Sequence, residues 1–242
     1  MRLLLLFIVL GAMGSAAQAD DRLLEPAELR GGAAFEKQLQ QDPASAAVHF
    51  NYAGFLADHG QTRAAIAHLR IAQLLEPGNG AIANSLGGAY LRMGRAAESA
   101  GQFQRAVNCA GEVAAYHYNL GNVEFVLRHD LTAAWKIDDA DLLRKALLEF
   151  RAASRLSPND MEYARGYAET FYALPDPDWA EAAAAWKHVL ALAPDSDFTF
   201  LQLARVSLKL GDKAQARSFL DQIKDSRHDG LKQKLRLQAD KL

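Results

Sequence analysis

The sequence predicts an all-α chain built from stacked helix pairs, and three observations predict it. First, a 34-residue spacing recurs: Pro43 to Pro77, Ala53 to Gly87, Gly60 to Gly94, Leu69 to Phe103 and Ala72 to Ala106. Second, small and large residues fall at helical spacing within each period. In the stretch SLGGAYLRMGRAAESAGQFQRAV, Gly87 and Ser99 permit close helix approach, and Leu86, Tyr90 and Phe103 fill the space beside them. Third, half of the 242 residues are hydrophobic and many of those are alanine, which favours helix.

The chain opens with Met1-Arg2, an apolar run from Leu3 to Leu10, and the small-x-small site Ala17-Gln18-Ala19. That pattern predicts a signal peptide over 1–19, with Asp20 as the mature N-terminus. A retained anchor is the rival reading, but the run is shorter than the roughly 20 residues that span a bilayer. No second run of spanning length follows, so no integral membrane span is expected after signal removal. The leader does not end in cysteine, which argues against a lipid-anchored form. The single cysteine, Cys109, allows no internal disulfide, so the fold must rest on packing.

Residues 20–43 read as an N-terminal half-repeat, with Gly31 and Phe35 at the small and aromatic places of a second helix. About five units follow over 44–226. The first carries Tyr52, Ala53, Leu56, Gly60, Ala65, Leu69, Ala72 and Pro77, and the second Leu86, Gly87, Tyr90, Gly94, Ser99, Phe103 and Ala106. The third opens on Tyr118-Asn119-Leu120-Gly121-Asn122 and closes with Ala146, Phe150, Ala153 and Pro158. The fourth has Tyr167, Ala168, Phe171, Ala182, Trp186 and Pro194, and the fifth Phe200, Leu203, Ala204, Gly211, Ala216 and Leu220. Residues 227–242 suit a C-terminal capping helix, which a stacked array needs over its last apolar face.

These residues resemble the tetratricopeptide repeat, whose W-x2-L-G-x2-Y…A-x3-F…P pattern covers 34 residues. The resemblance implies a right-handed superhelical solenoid of antiparallel helix pairs, with first helices lining a concave groove. Carried onto this chain, the family's inward positions give Phe50, Asn51, Asn84, Tyr118, Asn119, Asn122, Phe125, Arg165, Glu169, Tyr172, Gln202, Arg205 and Lys209. An Asn amide both donates and accepts, so it can hold a peptide backbone. Arg165 and Arg205 can pair a carboxylate. The same resemblance implies that an amide-rich patch (Asn119, Asn122) is followed by a charged one (Arg165, Glu169). Asn119 and Asn122 also match the repeat consensus, so groove contact and helical register both stand as readings. The family's carboxylate clamp is not matched, because the expected lysine is missing where Phe50, Asn84 and Tyr118 stand.

Two departures interrupt the period. The third unit is long by about 13 residues near 129–141, in HDLTAAWKIDDAD, either lengthening both helices or bulging out. Trp135 within it is a partner anchor or a ring packed back on its own domain. The fourth unit is long by two at ALPDPDWAEA, where Asp176 and Pro177 read as N-cap and first helical residue.

Charge excludes some functions. Against 27 Lys and Arg stand 29 Asp and Glu, with no basic stripe, so no nucleic-acid partner is expected. Phosphate-loop, G-x-S-x-G and HExxH patterns are missing. His49 and His117 fall at a packing position, and His59 before a turn glycine reads as solvated. Asp138, Asp139 and Asp141 lack the rest of a calcium loop. No catalytic residue, metal site or cofactor is expected. The sequence therefore reads as a non-catalytic protein–protein interaction scaffold, periplasmic or secreted, that takes a protein or peptide for cell-envelope assembly. The alternative is a structural subunit fixed in an envelope complex through its convex face or the insert near Trp135.

Overall fold

The computed structural model describes residues 26–242; the expected signal peptide at 1–19 lies outside the described residues. The fold is an all-α solenoid of helix pairs, and no strand occurs among the described residues. The helices are α1 (Pro26–Gln41), α2 (Ala46–Asp58), α3 (Thr62–Leu75), α4 (Gly80–Arg92), α5 (Ala96–Cys109), α6 (Ala114–Val126), α7 (Arg128–Trp135) and α8 (Asp139–Leu156). They continue as α9 (Met161–Thr170), α10 (Trp179–Leu192), α11 (Asp197–Lys209), α12 (Lys213–Gln222) and α13 (Asp229–Asp240). The chain divides into two compact units, one running to Asp139 and the other from Ala140 to Leu242.

In the first unit, α2, α4 and α6 begin 34 residues apart, and α3 and α5 follow as second helices. Gly60 and Gly94 turn the chain inside their pairs at φ 76° and 69°. Glycine is required there because other L-residues clash in the left-handed region. One cluster joins Tyr52, Leu56, Leu69, Ile82, Leu86 and Tyr90. At the next pair, a Cβ added at Gly87 would stand 2.8 Å from the Phe103 ring. The Ser99 hydroxyl donates to the Gly87 carbonyl at 2.8 Å. Small residues thus set how closely α4 and α5 approach.

In the second unit, Trp186 is fully buried among Ala164, Ala168, Phe171, Ala182, Val189 and Leu203. A polar tie links three helices. Arg151 of α8 donates through Nε to the Tyr167 hydroxyl of α9 at 3.2 Å, and that hydroxyl donates to Glu181 of α10 at 2.5 Å. Burial, reinforced by the hydrogen bond to Glu181, pushes the Tyr167 hydroxyl up to about 12. Leu220, Ile223 and Leu235 pack with Phe200, Leu201 and Ala204, which seats α13 on α11 and α12.

Three local expectations are corrected. The insert in the third unit neither simply bulges nor lengthens both helices. It forms a separate short helix, α7, ended by Lys136 in the left-handed conformation, and then feeds the 18-residue α8. The cap of α10 is Asp178, not Asp176. Its carboxylate accepts from the Ala180 and Glu181 amides at 2.9 and 3.0 Å, so Pro177 lies outside the helix. His59 is half-buried rather than solvated, with its ring 4.2 Å from that of Phe55 and Nδ1 2.7 Å from the Phe55 carbonyl oxygen.

Candidate functional site

The candidate residues fall on the first helices, and each unit presents its own set. In the first unit Phe50 and Asn51 lie on α2, Asn84 on α4, and Tyr118, Asn119 and Asn122 on α6. Asn51 is exposed, and Asn84, Asn119 and Asn122 are half-exposed. The Asn119 amide nitrogen donates to the Asn84 carbonyl oxygen at 2.8 Å, joining two first helices across a gap of 35 residues. The Asn84 amide nitrogen and the Asn119 carbonyl oxygen take no part in this bond. Phe50 is partly buried and packs against the core. Tyr118 is buried, so its ring supports the face more than it forms the surface.

In the second unit Arg165 and Glu169 sit one turn apart on α9, with Nε and Oε1 3.3 Å apart. Burial pushes the Glu169 carboxyl above its ordinary range, and the Arg165 charge pulls it back. Tyr172 follows in a 3-10 turn and donates to the Gln202 backbone carbonyl at 3.3 Å. Burial raises its hydroxyl far above the usual tyrosine range, against the pull of Arg205. The Arg205 guanidinium lies 4.6 Å over the Tyr172 ring and donates to Gln202 Oε1 at 3.0 Å. Lys209 stands 5.6 Å over the Trp179 ring.

Several of these partners were not evident from the repeat. Trp179 joins Tyr172 at 5.7 Å because the lengthened loop before α10 delivers it there. The two extra residues were the available signal. Phe198, at the second position of its unit, is 39% exposed and meets Trp186 edge-on at 5.9 Å. In the first unit, His49 and His68 bring their Nδ1 atoms to 2.8 Å, although the two residues are 19 positions apart. His49 Nε2 donates to the Pro43 carbonyl at 3.1 Å, which leaves His49 Nδ1 to accept from His68. Among the described residues, no group of three His, Cys, Asp or Glu side chains is arranged to hold a metal.

Helix pairs with capped starts, glycine turns and interlocked small and aromatic residues recur along the chain. Residues 176–239 match the tetratricopeptide repeat family model. That match supports a tetratricopeptide repeat in this C-terminal segment. The crystal structure of YrrB, a tetratricopeptide repeat protein with an unusual peptide-binding site, is 21% identical with a TM-score of 0.67, covering 87% of this chain and all of that one. PilF of Pseudomonas aeruginosa is 19% identical with a TM-score of 0.56, covering 90% of this chain and 88% of its own. MamA of Desulfovibrio magneticus RS-1 is 14% identical with a TM-score of 0.55, covering 74% of this chain and 92% of its own. At such identities the likeness is one of fold. Among curated proteins, no sequence matches this one. Tetratricopeptide repeat proteins are typically protein–protein interaction scaffolds, and the fold is generally non-catalytic.

Proposed function

We propose that the chain is an exported, non-catalytic scaffold whose first-helix faces hold an extended peptide segment of a partner, in cell-envelope assembly. The observation that carries this reading is the Asn84–Asn119 amide pair. Two amides on successive first helices hold each other in place and still offer a donor and an acceptor. An extended backbone presents the complementary groups, whatever its side chains. Arg165, beside Glu169, offers a cation to an acidic side chain. YrrB, which shares the fold, is itself described by its peptide-binding site.

The test compares partner capture from envelope extract by the wild type and by Asn119→Ala with Arg165→Ala. Capture is expected to fall about tenfold or more, the loss of one charge-assisted hydrogen bond or greater, while melting and circular dichroism stay near wild type. Undiminished capture of the same partners would overturn the reading. Export rests on the leader pattern at 1–19; N-terminal sequencing is expected to give Asp20, and a membrane-bound chain starting at Met1 would contradict it.

A second reading, a subunit fixed permanently in an envelope complex, draws on a different surface. Ile71, Leu74 and Leu75 share one face of the second helix α3, and Leu74 is 82% exposed. Trp135 on the extra helix α7 is 39% exposed. Clustered exposed apolar side chains mark contact surfaces. Loss of capture in Leu74→Ser or Trp135→Ala, but not in the amide variant, would select this reading.

A further inference from the structure

We propose that the C-terminal end of the second unit is a membrane-surface contact, in which α13 lays leucines and lysines on the headgroups of an anionic phospholipid bilayer. The inference goes beyond the scaffold reading above and does not depend on it. Charge is unevenly placed along the chain. Lys213 to Leu242 holds eight Lys and Arg against four Asp, whereas the whole chain holds 27 against 29. The basic excess therefore lies in α12, α13 and their link, and the residues before them are net acidic. Such asymmetry points to an anionic partner for the basic end. Three of the four acids are already ion-paired: Asp221 with Arg236, Asp225 with Arg227 and Asp240 with Arg217. The fourth, Asp229, sits in the first turn of α13, where the helix dipole favours it. Lys232 donates to the Ile223 carbonyl at 2.8 Å. Lys234 and Lys241 are exposed and pair with no acid among the described residues.

Helical spacing puts those two lysines beside an apolar side chain. Leu237 lies three residues after Lys234 and four before Lys241, so all three share a side of α13. Leu235 and Ala239 are buried on the opposite side, which packs on α11 and α12. Leu237 is 56% exposed, Leu231 before Lys234 is 38% exposed, and Leu242 just past the helix is 63% exposed. Leucines interleaved with lysines suit a bilayer surface. The leucine enters the acyl boundary, the lysine stem lies along it, and the ammonium stays with the phosphates. An acidic protein would be gripped best by guanidinium forks, and the arginines of this end already hold Asp221, Asp225 and Asp240. A nucleic acid strand calls for stacking aromatics, and α13 contains none.

The test is vesicle co-sedimentation of the chain from Asp20 onward, so that the apolar run from Leu3 to Leu10 does not bind in its place. Vesicles of phosphatidylcholine alone are compared with vesicles in which a third of the lipid is phosphatidylglycerol. Binding is expected on the anionic vesicles only, and to fall severalfold as salt rises from about 0.05 M to about 0.5 M. Lys234→Gln with Lys241→Gln should weaken it about tenfold or more, since each lysine near an anionic surface contributes a factor of about five. Lys234→Arg with Lys241→Arg should retain it, and Leu237→Ser should weaken it severalfold. All three side chains are exposed, so each variant is expected to melt with the wild type. Equal binding to both vesicle types, no sedimentation with either, or full binding by the double Gln variant overturns the contact. Retention on immobilised polyglutamate without vesicle binding, lost in the double Gln variant, would assign the face to an acidic protein and overturn the lipid reading.

Discussion

Trp186 has no exposed surface, and its indole Nε1 meets no hydrogen-bond partner of ordinary geometry. Its contribution is therefore one of volume and contact. Trp186→Ala is expected to lower unfolding stability by about 3–5 kcal/mol, measured by urea denaturation; an unchanged midpoint would contradict its place in the core. The sequence made this residue legible because it occupies the aromatic place of a periodic pattern. The His49–His68 contact was not legible, since it joins two helices at a spacing that no repeat position marks. That pair predicts a pH effect. The Nδ1 atoms are 2.8 Å apart, a distance that needs one proton between them. His68 is packed against His49 of α2 and the Tyr52 ring, and Tyr52 hydrogen-bonds Glu36 of α1. Burial, then the His49 charge, lowers the His68 pKa, while Glu36 partly opposes them. The unfolded chain thus binds more protons than the folded one as pH falls through the ordinary histidine value of 6.5. Stability should be full above that value and decline below it. His68→Gln should flatten the decline; an equal slope in the variant would place its origin elsewhere.

Helix starts and stops explain where the period holds and where it fails. Gly60, Gly94 and Gly211 take positive φ at the turn between the two helices of their pairs. The equivalent places of the third and fourth units hold Arg128 and Pro175, neither suited to that conformation. There the chain finds other routes: the added α7 in one, a 3-10 turn and a five-residue link in the other. Lengths in the sequence showed that something extra was present. They did not show that it would become a helix, because eight residues such as Arg128–Trp135 are too few to be helical without tertiary contacts. Those contacts come from Leu131, which is fully buried. Caps repeat as well. Ser45, Asn79, Asp160 and Ser196 each accept a backbone N–H at the start of a first helix. Val113 precedes α6 in the same extended conformation, with φ −93° and ψ 104°, and has no side-chain acceptor. Val113→Asn should therefore stabilise the chain by about 0.5–2 kcal/mol, read as a raised midpoint with an unchanged denaturant slope. A lower midpoint would mean that the valine packs better than it fails to cap.

A chain of stacked pairs has no single centre, so its stability should vary along its length. The repeat period was enough to read this architecture from the sequence, because each pair reuses one packing rule. The candidate faces were read less completely. First-helix positions pointed to Asn84, Asn119, Arg165 and Arg205, yet the bond between the two amides and the rings beneath Arg205 and Lys209 depend on how neighbouring pairs stack. Terminal elements have fewer neighbours than internal ones. Helix α13 packs on α11 and α12, and among its residues only Leu235 and Ala239 are buried. Helix α11, by contrast, buries eight residues between α10 and α12. Hydrogen exchange should accordingly show α13 opening well before α11, by local unfolding that spares the rest of the unit. Leu235→Ala should remove about 2–5 kcal/mol of packing at that end. The expected result is near-complete loss of α13 protection with α4 protection little changed. If α13, α11 and α4 instead lose protection together, the helix pairs unfold as one cooperative block, and nearest-neighbour stacking is the wrong description of what holds this chain.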